Sequence, residues 1–496
     1  MTATLLGSLL GATGQVEAGG SCPCPGAGLL LGASKVASST GGFNGPLDNS
    51  DLFGSSITSI GDLDGDSVPD LAVGSPFDDD GAADRGAVWI LLMNANGSVK
   101  SQQKISGTSG GFTGALDVSD LFGSSVASLG DLDGDGTVDL AVGAVNDDDG
   151  GVDRGAVWIL FLKPNGTVKS HVKIASNTGG FSGTLHTADA FGASIAPLAD
   201  VNGDGTVDLA VGATFDDDGG PDRGAVWILF LNPNGTVSSQ QKISSIIGGF
   251  SGQLDTSDHF GASVASAGDL DGNGTADIAV GAPLDDDGGT DRGAMWLVYL
   301  TSSGTVSTQK KISSTTGGFT GQLDNNDSFG ISVTSLGDID GDQVADLAVG
   351  AMNDDDGGPD RGAAWVLFPN ADGSMKSHQK ISSIVGGLPR QLHNSDAFGV
   401  SVARLGDLNA DGTTDLAVGA NRDDQGGLDR GAVWTLVLLG CSWTPAPVGD
   451  FTNDCNVDGA DLAVLLGAWA GPGGDLNGDG TTDGADLAIL LGAWTG

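Results

Sequence analysis

Glutamate is almost absent from this chain. Of its 64 acidic residues among 496, only Glu17 is a glutamate. Generic solubility would not produce that bias, because glutamate serves it equally well; aspartate is used here for its short reach. Basic residues are also scarce, with Lys and Arg totalling 20 and a formal charge of −44, which excludes nucleic acid as a partner. No apolar run approaches the roughly 18 residues that a membrane-spanning helix needs. The five histidines, His171, His186, His259, His378 and His393, fall at scattered places outside any recurring acidic cluster, so a histidine-based triad finds no support. Four cysteines lie at the two extremes of the chain: Cys22 and Cys24, then Cys441 and Cys455. A disulfide between the Cys22/Cys24 region and Cys441 would staple the ends together, and unpaired thiols are the alternative. Cys22 is a poor lipidation site because Gly20-Ser21 precedes it. What is abundant is glycine, 86 residues, which with 16 prolines makes about a fifth of the chain, beside 39% hydrophobic residues. Such a chain is turn-rich yet able to bury a core, which excludes simple disorder.

Residues 1–18 carry a short apolar stretch ending in Val16-Glu17-Ala18, the small-residue spacing of a signal-peptidase site, although no Lys or Arg precedes it. They read as a signal peptide, with a disordered tail as the alternative. The layout that follows is a linker over 19–34, a repeat domain over 35–440, a linker over 441–449 and a separate tail over 450–496.

An internal period organises the middle of the chain. Phe-Gly recurs at Phe53, Phe122, Phe191, Phe260, Phe329 and Phe398, each 69 residues after the last. The copies share the pattern FGxSVxxLGDxDGDGxxDLAVGAxxDDDGGxDRGAVWxL, with local departures, and end near Lys-Ile-Ser. Short apolar runs between Gly/Asp clusters read as strands, in the second copy over 124–129, 140–144, 156–162 and 172–175. Four strands repeated six times predict an all-β, six-bladed β-propeller. The last copy lacks its fourth strand, and the orphan Lys35–Ser38 at the start supplies it, so the ring closes by a latch. An open solenoid of the same units would leave both terminal edges exposed.

These copies resemble FG-GAP repeats, the blades of the integrin α-subunit propeller, whose usual ring has seven blades. The resemblance implies calcium held between the first and second strands by D-x-[DN]-x-[DN]-G-x-x-D. The spacing itself suits calcium, which takes six to eight hard oxygens, because carboxylates on alternate residues of a tight loop can converge on one ion. The candidate ligands are Asp62, Asp64, Asp66 and Asp70; Asp131, Asp133, Asp135 and Asp139; and Asp200, Asn202, Asp204 and Asp208. The later loops offer Asp269, Asp271, Asn273 and Asp277; Asp338, Asp340, Asp342 and Asp346; and Asp407, Asn409, Asp411 and Asp415. Aspartates that only cap turns are the alternative. Ser67 and Gln343 replace glycine at the sixth position of the first and fifth loops, where a left-handed turn is strained and the site is weaker.

A second acidic ring, DDDGGxDRG, lies between the second and third strands, on the opposite face. Each Arg, such as Arg85 or Arg154, pairs with neighbouring carboxylates and orders the turn; a second set of cation sites and a face for sugars or basic groups are the alternatives. The GGFxGxL turns, with Phe43, Phe112, Phe181, Phe250 and Phe319, emerge on the same side and could supply apolar contacts. One tryptophan per copy, Trp89, Trp158, Trp227, Trp296, Trp365 and Trp434, reads as packing between blades.

The tail holds a different repeat offset by 25 residues, DFTNDCNVDGADLAVLLGAW and DLNGDGTTDGADLAILLGAW, each a calcium loop followed by a helix. Candidate ligands are Asp450, Thr452, Asp454, Asp458 and Asp461, then Asp475, Asn477, Asp479, Asp483 and Asp486. Leu462, Leu465, Leu466 and Trp469, and likewise Leu487, Leu490, Leu491 and Trp494, have helical spacing that would let two faces pack together. The tail resembles a type I dockerin, the module by which secreted polysaccharide-degrading proteins attach to cohesin scaffolds. That resemblance implies partner contacts at Gly459-Ala460 and Gly484-Ala485, with a stability or anchoring tail as the alternative.

Repetition argues against an enzyme, because near-equivalent blades give no singular site, although Arg390, Arg404 and Arg422 break the symmetry in the last copy. The expectation is a secreted or cell-surface, extracellular adhesion or binding module with about eight Ca2+ sites, six in the ring and two in the tail. Its partners would be an extracellular protein or glycan ligand and a cohesin-like scaffold. The alternatives are a propeller enzyme acting on extracellular polysaccharide, as a hydrolase or lyase, and a structural surface protein.

Overall fold

The computed structural model describes residues 27–440 and, in the tail, 457, 459–469, 476–477 and 481–494. Residues 1–18, where a signal peptide is expected, all four cysteines, and Asp450, Thr452, Asp454, Asp458, Asp475 and Asp479 lie outside the described residues. One compact unit covers Gly26–Gly440 and is all β: six sheets of four antiparallel strands. In blade two the strands are Phe122–Gly130, Asp139–Ala144, Ala156–Leu162 and Val168–Ile174, in that order from the centre outward. The second and third, DLAVGA and AVWILFL, are buried along their whole length, which is why they read as continuous apolar runs. The fourth begins four residues before its apolar run because its outward residues, Lys169, Ser170 and His171, are polar.

The latch forms as the orphan segment predicts, and it is longer than its signature. Leu30–Ala37 pairs antiparallel with Ala432–Leu438, placing Lys35 opposite Trp434, as Lys173 stands opposite Trp158 in blade two. Hydrogen bonds between blades close the circle. Ser56, Ser125, Ser194, Ser263 and Ser332 each donate Oγ to the backbone oxygen of the next blade's Phe-Gly glycine, and Ser401 does so to Gly54, all at 2.7–2.8 Å. The signature dipeptide has a steric reason. Phe122 is fully buried, and Gly123 has φ +95°, where a Cβ would meet the oxygen of Ala87 at 2.4 Å.

The phenylalanines of the GGF turns are not surface contacts. Phe112 is buried, stacks on Phe122 with centroids 5.1 Å apart and meets Trp158 edge-on at 5.1 Å. The same trio recurs as Phe43, Phe53 and Trp89 and as Phe181, Phe191 and Trp227. Aromatic burial between blades outweighs anything these rings could offer a ligand.

In the tail, helices cover Gly459–Gly467 and Gly484–Gly492. Leu465, Leu490 and Val457 are buried together, with Leu462, Leu476 and Leu487 against them. Leu466, Leu491, Trp469 and Trp494 are exposed, the last two by 47% and 39%, so the expected full apolar faces do not meet. Helices of nine residues have room inside for little more than one leucine each.

Candidate cation-binding face

Each loop between a first and second strand is wrapped around its own aspartates. The position-one carboxylates, Asp62, Asp131, Asp200, Asp269, Asp338 and Asp407, accept the position-five amide at 2.8–3.0 Å and the position-six amide at 2.6–2.9 Å. The non-glycine residues Ser67 and Gln343 sit at φ 70°, in the left-handed region anticipated for that position. The position-nine carboxylates, Asp70, Asp139, Asp208, Asp277, Asp346 and Asp415, are buried and pin the loop to the sheet. Their Oδ2 accepts the position-two amide at 2.8–3.0 Å. In five blades their Oδ1 accepts the amide at the end of the third strand, for example that of Met93 at 2.8 Å. Burial pushes Asp70, Asp139, Asp208, Asp277 and Asp415 up to about 6. In blade five that strand ends in Pro369, which has no N–H, so Asp346 Oδ1 is buried without a partner and burial pushes the group up to about 8.

Four loops gather three carboxylates whose oxygens lie within 4.8 Å of one another: Asp62, Asp64 and Asp66; Asp131, Asp133 and Asp139; Asp269, Asp271 and Asp277; Asp338, Asp340 and Asp346. In the third and sixth loops an asparagine stands in the cluster. Asn202 Nδ2 donates to Asp204 at 2.9 Å, and Asn409 Nδ2 to Asp411 at 2.8 Å. The clustered donors are hard carboxylate oxygens, a set that fits a hard divalent cation. In the tail, Asp486 accepts the amides of Leu476, Asn477 and Asp483 at 2.8–3.0 Å, Asp483 caps the second helix, and Asp461 is buried.

The opposite ring is organised by lysine, not by the expected arginine. In blade one Lys104 Nζ lies 2.6 Å from Asp78 and 3.0 Å from Asp80, and 5.3 Å from the centre of the Trp89 ring. Lys173, Lys242, Lys311 and Lys380 repeat the clamp, and Lys35 makes it with Asp423 alone, since Gln425 replaces the third aspartate. The middle aspartate, such as Asp79, accepts the amide of Asp84 at 2.9 Å. Among the described residues no arginine forms an ion pair; Arg361 instead meets Asn394 and Ser383 at 3.0 Å. In five blades lysine therefore occupies two of the three carboxylates that a second set of cations would use.

Sequence reasoning passed over one recurring group, Asp51, Asp120, Asp189, Asp258, Asp327 and Asp396, although the strict 69-residue period was a signal that could have found it. Each is at most 3% exposed and accepts the amide three residues before it at 2.7 Å. Burial raises Asp51, Asp258 and Asp327 to about 7 and Asp120, Asp189 and Asp396 to about 6, from the ordinary 3.8. The folded state thus holds protons that the unfolded chain has released. The stability they contribute is fully present below pH 3.8 and is lost as pH rises through 6 to 7. In chelator, scanning calorimetry is expected to give a melting temperature at pH 5 about 5 °C or more above that at pH 8. The reverse order would contradict this assignment.

Two histidine pairs prove equivalent, His171 with His378 and His186 with His393. His171 packs on Phe112 and Trp158, and His378 on Phe319 and Trp365. The first strands of all six blades line a central cavity of about 630 Å³ walled by hydroxyls and methyl groups, with Arg404 as its one charged residue and no carboxylate.

Comparison with known proteins places these features in context. The FG-GAP repeat family matches residues 53–91, 122–160, 191–229, 260–298, 329–367 and 398–436. Integrin alpha-PS2 of Drosophila melanogaster is 33% identical over 245 residues, 47% of this chain and 15% of that protein. Integrin alpha-5 of Xenopus laevis is 34% identical over 236 residues, 46% of this chain and 20% of that protein. The alignments thus span at most a fifth of these relatives' length. Among solved structures, BBS1N in its complex with ARL6DN, soaked with mercury, aligns over 84% of this chain and 88% of that one at 16% identity and a TM-score of 0.38.

Proposed function

We propose, on the premise that the ring is an FG-GAP propeller, that this protein is an extracellular, calcium-stabilised binding module for a protein or glycan ligand. The observation that carries the proposal is the loop repeated in six blades, whose position-one carboxylate is fixed by backbone amides and which in four blades brings three carboxylates within 4.8 Å of one another. The integrin relatives support an adhesive role. The ring supplies a rigid scaffold and calcium stiffens one of its faces, so binding depends on the ion. The tail extends the proposal: its two loop–helix units would hold two further ions and attach the module, through a cohesin-like scaffold, to a polysaccharide-degrading assembly. The test is an array of extracellular matrix proteins and polysaccharides probed with the purified full chain in millimolar calcium and in chelator. Ligand capture that disappears in chelator is the expected result. Capture indifferent to calcium, or none at all, contradicts the proposal.

A further inference from the structure

Three loops already hold a cation of the chain's own. Lys100 Nζ lies 2.6 Å from Asp64 Oδ2 and 2.7 Å from Asp66 Oδ2. Lys169 lies 2.8 Å from Asp133 and 2.5 Å from Asp135, and Lys376 lies 2.6 Å from Asp340 and 2.5 Å from Asp342. Each lysine comes from the start of the fourth strand, 36 and 34 residues beyond the carboxylates it meets. In the second and fifth loops the other oxygens of positions three and five already accept backbone amides, as Asp133 Oδ1 does from Asp135 and Asp135 Oδ1 from Thr137. The ammonium therefore takes the oxygens left over for a metal.

The pattern across blades is independent of that geometry. The lysine occurs in blades one, two and five, whose loops have four aspartates. The equivalent residue is Ser238, Ser307 or Leu31 in blades three, four and six, whose loops have Asn202, Asn273 or Asn409 in place of one aspartate. Four carboxylates with one ammonium and three carboxylates with none carry the same net charge. Ser238 and Ser307 turn onto their own sheet, donating to the backbone oxygens of Phe230 and Tyr299.

We propose that Lys100, Lys169 and Lys376 are tethered counter-cations that sort the six loops into two classes. Loops one, two and five are shut by an internal ammonium that a divalent cation must displace, whereas loops three, four and six depend on the divalent cation itself. The inference rests on the calcium reading above and adds an order of filling. An ammonium on the fourth strand sits at high effective concentration, yet a single charge cannot satisfy the six to eight oxygens a calcium ion gathers. The first class fills last and keeps its shape without metal; the second fills first and loosens without it.

The experiment is hydrogen exchange of the full chain across a calcium titration, read on peptides covering each loop. Loops three, four and six are expected to gain protection first, and loops one, two and five at roughly tenfold or more higher calcium, the scale set by displacing one unit charge at contact. Loop two separates lysine from backbone strain, because it has Gly136 where loops one and five have Ser67 and Gln343. Combining Lys100→Met, Lys169→Met and Lys376→Met should move loops one, two and five to lower calcium by a similar factor and expose them in chelator. Asn202→Asp with Ser238→Lys should move loop three into the late class, and it keeps the test usable if the triple variant does not fold. Six loops responding together in the native chain, or variants that leave the order unchanged, overturn this inference alone. No response in any propeller loop overturns the calcium reading with it.

Discussion

A chain lacking residues 1–38 is expected to lose the cooperative unfolding of the full ring and to associate. The deletion removes Leu30–Ala37, the only strand among the described residues that covers the outer edge of Ala432–Leu438. It strips cover from Trp434, which is 2% exposed in the closed ring, and discards Val36, which is fully buried. It also removes Lys35, the ion-pair partner of Asp423 and the cation above the Trp434 ring. An unpaired row of backbone groups beside uncovered apolar side chains is a template for pairing with another chain. The expected drop in melting temperature is about 10 °C or more, with a rise in light scattering. A truncated chain that stays monomeric and melts where the intact one does would mean that closure is not what stabilises the blades.

The second large effect is expected at Lys242. Its side chain is 9% exposed and lies 2.6 Å from Asp216, which is 1% exposed, and 2.8 Å from Asp218. Ser244 donates to Asp218 at 2.9 Å, and the Trp227 ring centre is 5.5 Å from the ammonium. Lys242→Met keeps the stem but leaves two carboxylates facing each other with little access to water. Removing one partner of such a buried set costs about 3–5 kcal/mol, read as a shift of the urea unfolding midpoint. Adding Asp216→Asn and Asp218→Asn should restore most of the loss, because the cost lies in uncompensated charge rather than in missing contacts. A Lys242→Met chain as stable as the parent would show that the clamp is ornamental.

The ring, its blade count and its latch were legible because the 69-residue period is unbroken and the orphan at Lys35 supplies the one missing strand. The acidic loops were legible as clusters because their aspartates are neighbours in the chain. What answers those carboxylates was not. Lys100 meets Asp64 from 36 residues away, and Lys104 meets Asp78 across the sheet, so adjacency pointed to Arg85 instead. The GGF phenylalanines misled for a related reason: a turn between blades reads as surface, whereas Phe112 fills the seam between Phe122 and Trp158. The outermost strands were drawn too short because only one of their faces is apolar. Pro369 shows how a single residue withdraws an amide from Asp346 with no trace in the loop itself.

The most direct test of the central claim is calcium stoichiometry on the purified full-length protein by equilibrium dialysis. Six ring loops and two tail loops predict about eight ions per chain, at dissociation constants of roughly 0.1 to 1 mM. About two ions per chain would contradict the account, leaving metal to the tail alone and reducing the ring's aspartates to caps on their turns.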